Sequence, residues 1–296
     1  MKFLAFTILL TCITVASGAV TKKSSMLRLG STNVGVNVYS NPLSDVTFIA
    51  PHHNEQAGLR LAREFVAARG GRLVEIESFD PSGRPTRYIA FTKNGKSHSI
   101  DPNRIFTENG RRCGVAAEIR SEVESFAREL TEVIFDGDPA AYRNSGRFLV
   151  AVHNNADIES KARPSRAGDL TAAAFVKVAG VSHGAFQDQA AGVYLSNAED
   201  DPDNFVLLST PEHIGYFADF GFNVVVQRPA ASLASRKCSM DDGSLSVYSA
   251  LVGIPYICLE ADADNGEIRH RQMFEAVYGM ANRRREASVA IASAGN

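Results

Sequence analysis

Neither sign of charge prevails in this sequence: 31 Lys and Arg stand against 33 Asp and Glu, intermixed along the chain, for a formal net charge of -2. Without a basic field nothing holds a polyanion by phosphate neutralisation, and no nucleic-acid partner is expected. Long apolar runs are equally scarce. Beyond the first 19 residues no stretch approaches the roughly 18 consecutive apolar residues of a membrane span, so none is expected in the mature chain. Internal repeats, heptads and Pro-rich linkers are also missing, and one domain is expected. Cysteine is sparse, at four residues.

What is present begins with the N-terminus. Lys2 precedes the apolar segment FLAFTILLTCITVA and the small residues Ser17, Gly18 and Ala19. This pattern predicts a secretory signal peptide over residues 1–19, cleaved after Gly18 or Ala19, and hence an exported protein, periplasmic or secreted. Cys12 raises the alternative of a lipid anchor, against which Thr11 is a poor preceding residue. Three cysteines then remain in an oxidising compartment, enough for one internal disulfide. Cys258, inside the apolar run GIPYICLE, reads as a buried thiol on a strand. Cys113 and Cys238, beside Gly- or Ser-rich loops, are the candidate pair, with three free thiols as the alternative.

A composition of 45% hydrophobic and 22% charged residues is that of a globular protein. After a Ser-, Asn- and Gly-rich lead-in, VTFIA reads as the first strong strand. Glu55 to Arg69 places Leu59, Ala62, Phe65 and Val66 on one helical face, and Gly70-Gly71 stops that helix. Arg72 to Glu77 reads as a strand and YIAFTKNGKSHSI as a hairpin turning at Asn94-Gly95. Val115, Ile119, Val123, Phe126, Leu130 and Val133 recur every three or four residues and predict one long amphipathic helix. RFLVAVH, DNFVLLS, FNVVVQ and GIPYICLE are nearly continuous apolar strands, with Pro211 to Phe220 helical between two of them. Strands without polar alternation imply a sheet covered on both faces, hence an α/β layered fold. The last helix is expected over about Glu267 to Met280. The single domain would then span residues 20–281 and be followed by a disordered small-residue tail over 282–296.

Four polar segments, PHHNE, DPNR, VHNN and CLEAD, fall at the ends of predicted strands or in the loops after them, where open α/β sheets bind ligands. His52 and Glu55, three apart at a strand-to-helix turn, can converge on one ion with His153, which follows the strand RFLVAV. Two histidines and a carboxylate leave a catalytic zinc one open position for water. The segments HHNE, DPNRIF, VAVHNN and YICLEAD, in this order over Val46 to Ala261, resemble those of the zinc carboxypeptidases and of the succinylglutamate desuccinylase and aspartoacylase branch. The resemblance implies a single layered α/β domain with a mixed, mostly parallel sheet and helices on both faces. It implies one Zn(2+) per chain on His52, Glu55 and His153, and Glu260 as the general base. Asn103 and Arg104 match the pair that holds a substrate carboxylate, a task suited to the planar guanidinium fork.

His53 is an alternative to His52, at a spacing of two from the glutamate. Asp101 is expected to orient a ligand histidine or the arginine. Asp241-Asp242 is a candidate for the pocket wall. Arg87 is the candidate to stabilise an oxyanion, with Arg111 and Arg112 as rivals, and Tyr248 and Tyr194 are poor matches for a capping tyrosine. His98, His183, His213 and His270 match nothing and are expected in surface or hydrogen-bonded roles.

The function these residues imply is a metallopeptidase, an exported zinc-dependent amide hydrolase of carboxypeptidase type acting on peptides, cell-wall peptides included. Its partner would be a peptide or N-acyl amino acid that carries a carboxylate. Two alternatives stand beside it. One is an N-acyl amino acid deacylase; the other is a non-catalytic peptide-binding protein, whose binding would survive Glu260→Gln.

Overall fold

The computed structural model describes residues 19–155, 190–194, 196–197, 200–201, 204–235 and 237–294. The predicted leader and His183 lie outside them, Ala19 excepted. Among the described residues are eleven strands: β1 Thr21–Leu29, β2 Thr32–Asn41, β3 Thr47–Ala50, β4 Gly71–Ile76, β5 Ile89–Lys93, β6 Lys96–Ile100, β7 Leu149–Asn155, β8 Ala190–Tyr194, β9 Phe205–Leu208, β10 Asn223–Gln227 and β11 Tyr256–Asp262. The helices are α1 Gln56–Arg69, α2 Glu108–Gly114, α3 Arg120–Ile134, α4 Pro139–Asn144, α5 Ile214–Asp219, α6 Ala230–Leu233, α7 Leu245–Val252 and α8 Glu267–Ala294.

Nine strands form one sheet in the order β1-β2-β4-β3-β7-β11-β9-β10-β8, and β5 and β6 form a separate hairpin. The centre, β4-β3-β7-β11, is parallel throughout. Antiparallel pairings attach β2 on one side and β9 on the other, so the sheet is mixed. Central strands bury both faces, which is why they are apolar without alternation. Successive residues nevertheless serve two different cores. Leu149, Ala151, Tyr256 and Cys258 face the layer of α3 and α7, with Val123, Phe126, Leu130 and Leu245. Val150, Val152, Ile257 and Leu259 face the layer of α1 and α8, with Leu59, Phe65, Phe274 and Val277.

The stop after α1 is as expected: Gly70 has φ 87°, a conformation that costs glycine little, and Gly71 opens β4. Three elements differ from the sequence reading. The lead-in is the long hairpin β1–β2, whose alternating Leu27, Leu29, Val34, Val36 and Val38 are buried. The long helix expected from Val115 is broken. Val115 is extended at φ -118°, ψ 129°, a short 3-10 turn covers Ala117–Ile119, and α3 begins only at Arg120. Its buried stripe ends on Ile134, with Val133 half-buried. Finally, α8 does not stop near Met280 but runs through Ala294, because the small residues of the tail are largely alanines, the strongest helix formers.

Cys113 and Cys238 form a disulfide with Cα atoms 5.7 Å apart, tying α2 to the loop before α7. Cys258 is a buried free thiol on β11.

Candidate active site

The site forms where β3, β7 and β11 end, because the face of β7 and β11 that packs on α3 and α7 recurs every second residue and continues to the strand ends. Past Leu149 and Ala151 that face presents His153; past Tyr256 and Cys258 it presents Glu260. Parallel pairing puts Glu260 in register with His153. Both side chains are buried.

From β3 the chain turns through Pro51 to α1 and delivers His52 and Glu55 to the same corner. Glu55 sits at the N-terminus of α1, where the helix dipole favours an anion. Its two oxygens take two imidazoles, His52 Nδ1 at 2.7 Å and His153 Nδ1 at 2.9 Å, and the Asn154 backbone N–H donates to it at 3.3 Å. His52 Nε2 meets Asp101 Oδ1 at 2.9 Å, and the two histidine rings lie 4.9 Å apart. Arg87 closes the network from the hairpin side, with Nε 3.0 Å from Asp101 and Nη1 3.5 Å from Glu55.

These contacts set the charge states. Burial alone would raise the Glu55 pKa, but His52 and His153 override it and hold the carboxyl well below its usual range. Asp101 is held down in the same way by His52, Arg87 and Arg104. Burial would lower the His52 pKa, and the two carboxylates raise it instead. Glu260 goes the other way: burial, helped by the Glu55 charge and opposed by His153, pushes it up to about 7. The Cys258 thiol, whose own pKa burial pushes up, donates to Glu260 Oε1 at 3.2 Å.

His52, Glu55 and His153 each offer one donor atom, all within 4.8 Å of one another and all buried. Two imidazole nitrogens and a carboxylate are a fitting set for a divalent transition metal, and Asp101 on the far nitrogen of His52 is the supporting contact such ligands carry. His153, Cys258 and Glu260 form a second group of the same kind on one side of it. His53 turns away, with Ser78 N–H donating to its Nδ1 at 3.2 Å and Glu75 3.4 Å from Nε2.

A pocket opens beside this corner. Among the described residues it is lined by His153, Glu260, Cys258 and Tyr256, by Asn103, Arg104, Asp242, Ser244 and Ser246, and by Ala190, Leu207, Val225 and Gln227. Asp101 accepts from Asn103 N–H and so caps the short 3-10 turn that carries Asn103 and Arg104. Asn103 Oδ1 accepts from Leu245 N–H at 3.0 Å, and Arg104 Nε lies 3.4 Å from Asp242. Of the Asp241-Asp242 pair, Asp242 reaches the pocket. Asp241 is internal, accepting from Thr107 Oγ1 at 2.5 Å and from Gly243 N–H at 3.1 Å. Gly243, at φ 79°, passes so close to Gly110 and to the Arg104 carbonyl that a Cβ would collide with backbone.

The structure therefore brings together His52, Glu55, His153, Glu260, Asn103, Arg104 and Arg87. Arg111 donates to the Ile105 carbonyl and Arg112 to Asn109, and neither lines the pocket. Tyr248 packs on Phe106 and Phe135, and Tyr194 is exposed on β8. The sequence reading missed Asn154, whose Oδ1 accepts from Gly58 N–H at 2.8 Å and so caps α1, as well as Cys258 as a neighbour of Glu260 and Gln227 as a pocket residue. Only Cys258 left a readable signal, two residues before Glu260 on the same strand face. His270, expected at the surface or in a hydrogen bond, is instead fully buried with neither ring nitrogen partnered among the described residues.

No protein-family model and no curated sequence matches the chain. Solved structures that the chain resembles include provisionally named metallopeptidases and an aspartoacylase family protein. They include a provisionally named metallopeptidase from Shewanella baltica OS155, with 14% identity, 88% of this chain and 84% of that one covered, and a TM-score of 0.40. An aspartoacylase family protein from Mesorhizobium loti MAFF303099 follows at 13% identity, with 88% and 68% covered and a TM-score of 0.36. A second provisionally named metallopeptidase, from Shewanella denitrificans OS217, has 13% identity, coverage of 86% and 82%, and a TM-score of 0.36.

Proposed function

We propose that this chain is an exported, zinc-dependent hydrolase that cleaves an amide bond next to a carboxylate, in the manner of a carboxypeptidase. The observation that carries the reading is the convergence of His52, Glu55 and His153 in one buried corner, with Glu260 in register beside His153. A zinc ion held there would polarise a carbonyl and lower the pKa of bound water to about 7. Glu260, poised near neutrality by burial, is suited to take a proton from the attacking water and return it to the leaving nitrogen. Arg104 and Asn103, on a capped turn across the pocket, are suited to hold the substrate carboxylate. Arg87, fixed by Asp101 and Glu55, is the candidate for the charge that develops on the carbonyl oxygen. Export is supported by the N-terminal segment and by the Cys113–Cys238 disulfide, which suits an oxidising compartment.

The HHNE and DPNR forms favour a second reading at the same site, deacylation of a small N-acyl amino acid. Plasma mass spectrometry on the purified chain, wild type beside His153→Ala, tests the metal. About one zinc per wild-type chain and little in the variant is expected, and a wild type that stays metal-free after zinc loading defeats both readings. Comparing kcat/KM on N-acyl dipeptides and on N-acyl amino acids then separates them.

A further inference from the structure

Gln227 is the last residue of β10 and is 4% exposed. Neither its Nε2 nor its Oε1 has a hydrogen-bond partner among the described residues. A buried amide left in that condition is destabilising, and it is rare without a reason. Its position supplies one, because Gln227 lines the pocket that also holds His153, Glu260 and Arg104.

The strand geometry sets the pocket's direction. Val225 pairs with Leu207 on β9, and Gln227 pairs with Ala190 on β8 across a register shift between Val226 and Gln227. Such bulges commonly re-aim a side chain beside a binding site. β9 runs antiparallel to β11, with Phe205 opposite Glu260 and Leu208 opposite Ile257. The end of β10, parallel to β9, therefore lies level with Tyr256, four residues below Glu260 and about 13 Å along the strand. Leu207, Val225 and Ala190 give the lower pocket apolar walls, and Gln227 stands with Tyr256 at its foot.

We propose that Gln227 is a specificity-determining residue, selecting substrates whose side chain ends in an uncharged group that both donates and accepts, a primary carboxamide in the first instance. A carboxamide meets the Gln227 amide in two antiparallel N–H···O bonds and satisfies both atoms at once. An aliphatic end leaves both unmet. A carboxylate can use only the N–H; the lining cation among the described residues, Arg104, lies near Asp242 and is assigned above to the substrate's own carboxylate. An ammonium can use only the oxygen. The inference rests on the proposed function in taking this pocket as the place where the substrate's side chain sits.

The test uses the full zinc-loaded chain, wild type and Gln227→Met, with two readouts. Turnover is measured on four N-acyl dipeptides ending in Gln, Met, Glu or Lys, and binding of the four free amino acids is measured by calorimetry. The wild type is expected to prefer Gln over the other three by at least about tenfold in both, the equivalent of one hydrogen-bonded amide. The variant should lose that preference and favour Met, while melting at a higher temperature because the unpaired amide is gone. That higher melting point also certifies its fold. Equal turnover of all four by the wild type, or preference for Glu or Lys, overturns the inference and leaves the hydrolase reading standing. Absence of turnover with Gln227-dependent binding of glutamine defeats the hydrolase reading and keeps the inference. Absence of selective glutamine binding as well as of turnover defeats both.

Discussion

The His52–Glu55–His153 corner and the foot of the neighbouring pocket are both buried, yet their polar atoms are treated in opposite ways. In the corner the Glu55 oxygens, both nitrogens of His52 and the Asp101 carboxylate are all engaged. At the foot, Gln227 has neither atom engaged among the described residues. A saturated network holds its members in place before anything binds, whereas an unsaturated amide acquires its partner only when something does. His270 is a third case. It is as unpartnered as Gln227, but it packs between Phe274 and α1 and does not line the pocket.

The largest expected effect breaks the corner itself. His153→Ala removes one of three donors and one of the two imidazoles that hold Glu55 ionised. Bound zinc should fall from about one per chain to near none, and turnover to the blank rate. Near-stoichiometric zinc in that variant would show that the corner does not need His153. Next comes Glu260→Gln, which keeps the shape but cannot carry a proton. A fall in kcat of about 10²–10⁴ is expected with zinc content unchanged. A loss of zinc alongside activity would instead make Glu260 a ligand, through the group it forms with His153 and Cys258.

His270 sharpens the contrast between an unpaired group that serves a ligand and one that does not. Burial pushes its pKa down to about 3. Between that value and the unfolded value of 6.5 the unfolded chain binds a proton that the folded chain refuses. Stability from this group is therefore full above pH 6.5 and is lost as pH falls toward 3. At pH 5 the loss is about 2 kcal/mol, from 1.36 kcal/mol per pH step. Urea unfolding of wild type and His270→Leu at pH 7.5 and pH 5 should show the variant gaining about that much relative to wild type on acidification. The carboxylates common to both chains cancel in the comparison, and an unchanged gap would show that His270 finds a partner in solution. Zinc content and turnover should not move.

Much of the corner was legible in the sequence because strands buried on both faces end abruptly. VTFIAPHHNE, RFLVAVHNN and YICLEAD each run apolar until a polar group appears, and a polar group there needs a partner or a purpose. The β1–β2 hairpin was legible in principle, since Leu27, Leu29, Val34, Val36 and Val38 alternate, but its many Ser and Asn residues read as loop. The helix expected from Val115 failed for a local reason: its spacing is helical, but the backbone is extended there, just past the end of α2 at Gly114. Gln227 was illegible. A glutamine after NVVV looks like an ordinary strand end, and only the pairing of β10 with β8 and β9 turns it toward Arg104 and Glu260. Distant strand order is not written in local pattern, which is also why Asn154 and His270 escaped notice.

The smallest effect concerns the wall between corner and foot. Arg104 is held from three directions: its own turn is capped by Asp101, Asp242 lies against its Nε, and Gly243 packs on its carbonyl. The first and third fix its backbone, while Asp242 and the Asn103 carbonyl, which accepts from Nη1 at 2.8 Å, orient the guanidinium before a carboxylate arrives. Arg104→Lys keeps the charge but replaces a planar fork with a point donor on a flexible stem. If Arg104 anchors the substrate carboxylate away from the reacting carbonyl, KM should rise about tenfold, one charge-assisted hydrogen bond, while kcat changes little. A fall in kcat at constant KM would instead place Arg104 against the charge of the transition state, the role assigned above to Arg87. Steady-state kinetics of Arg104→Lys beside Arg87→Lys, on one substrate and at one pH, assigns the two arginines.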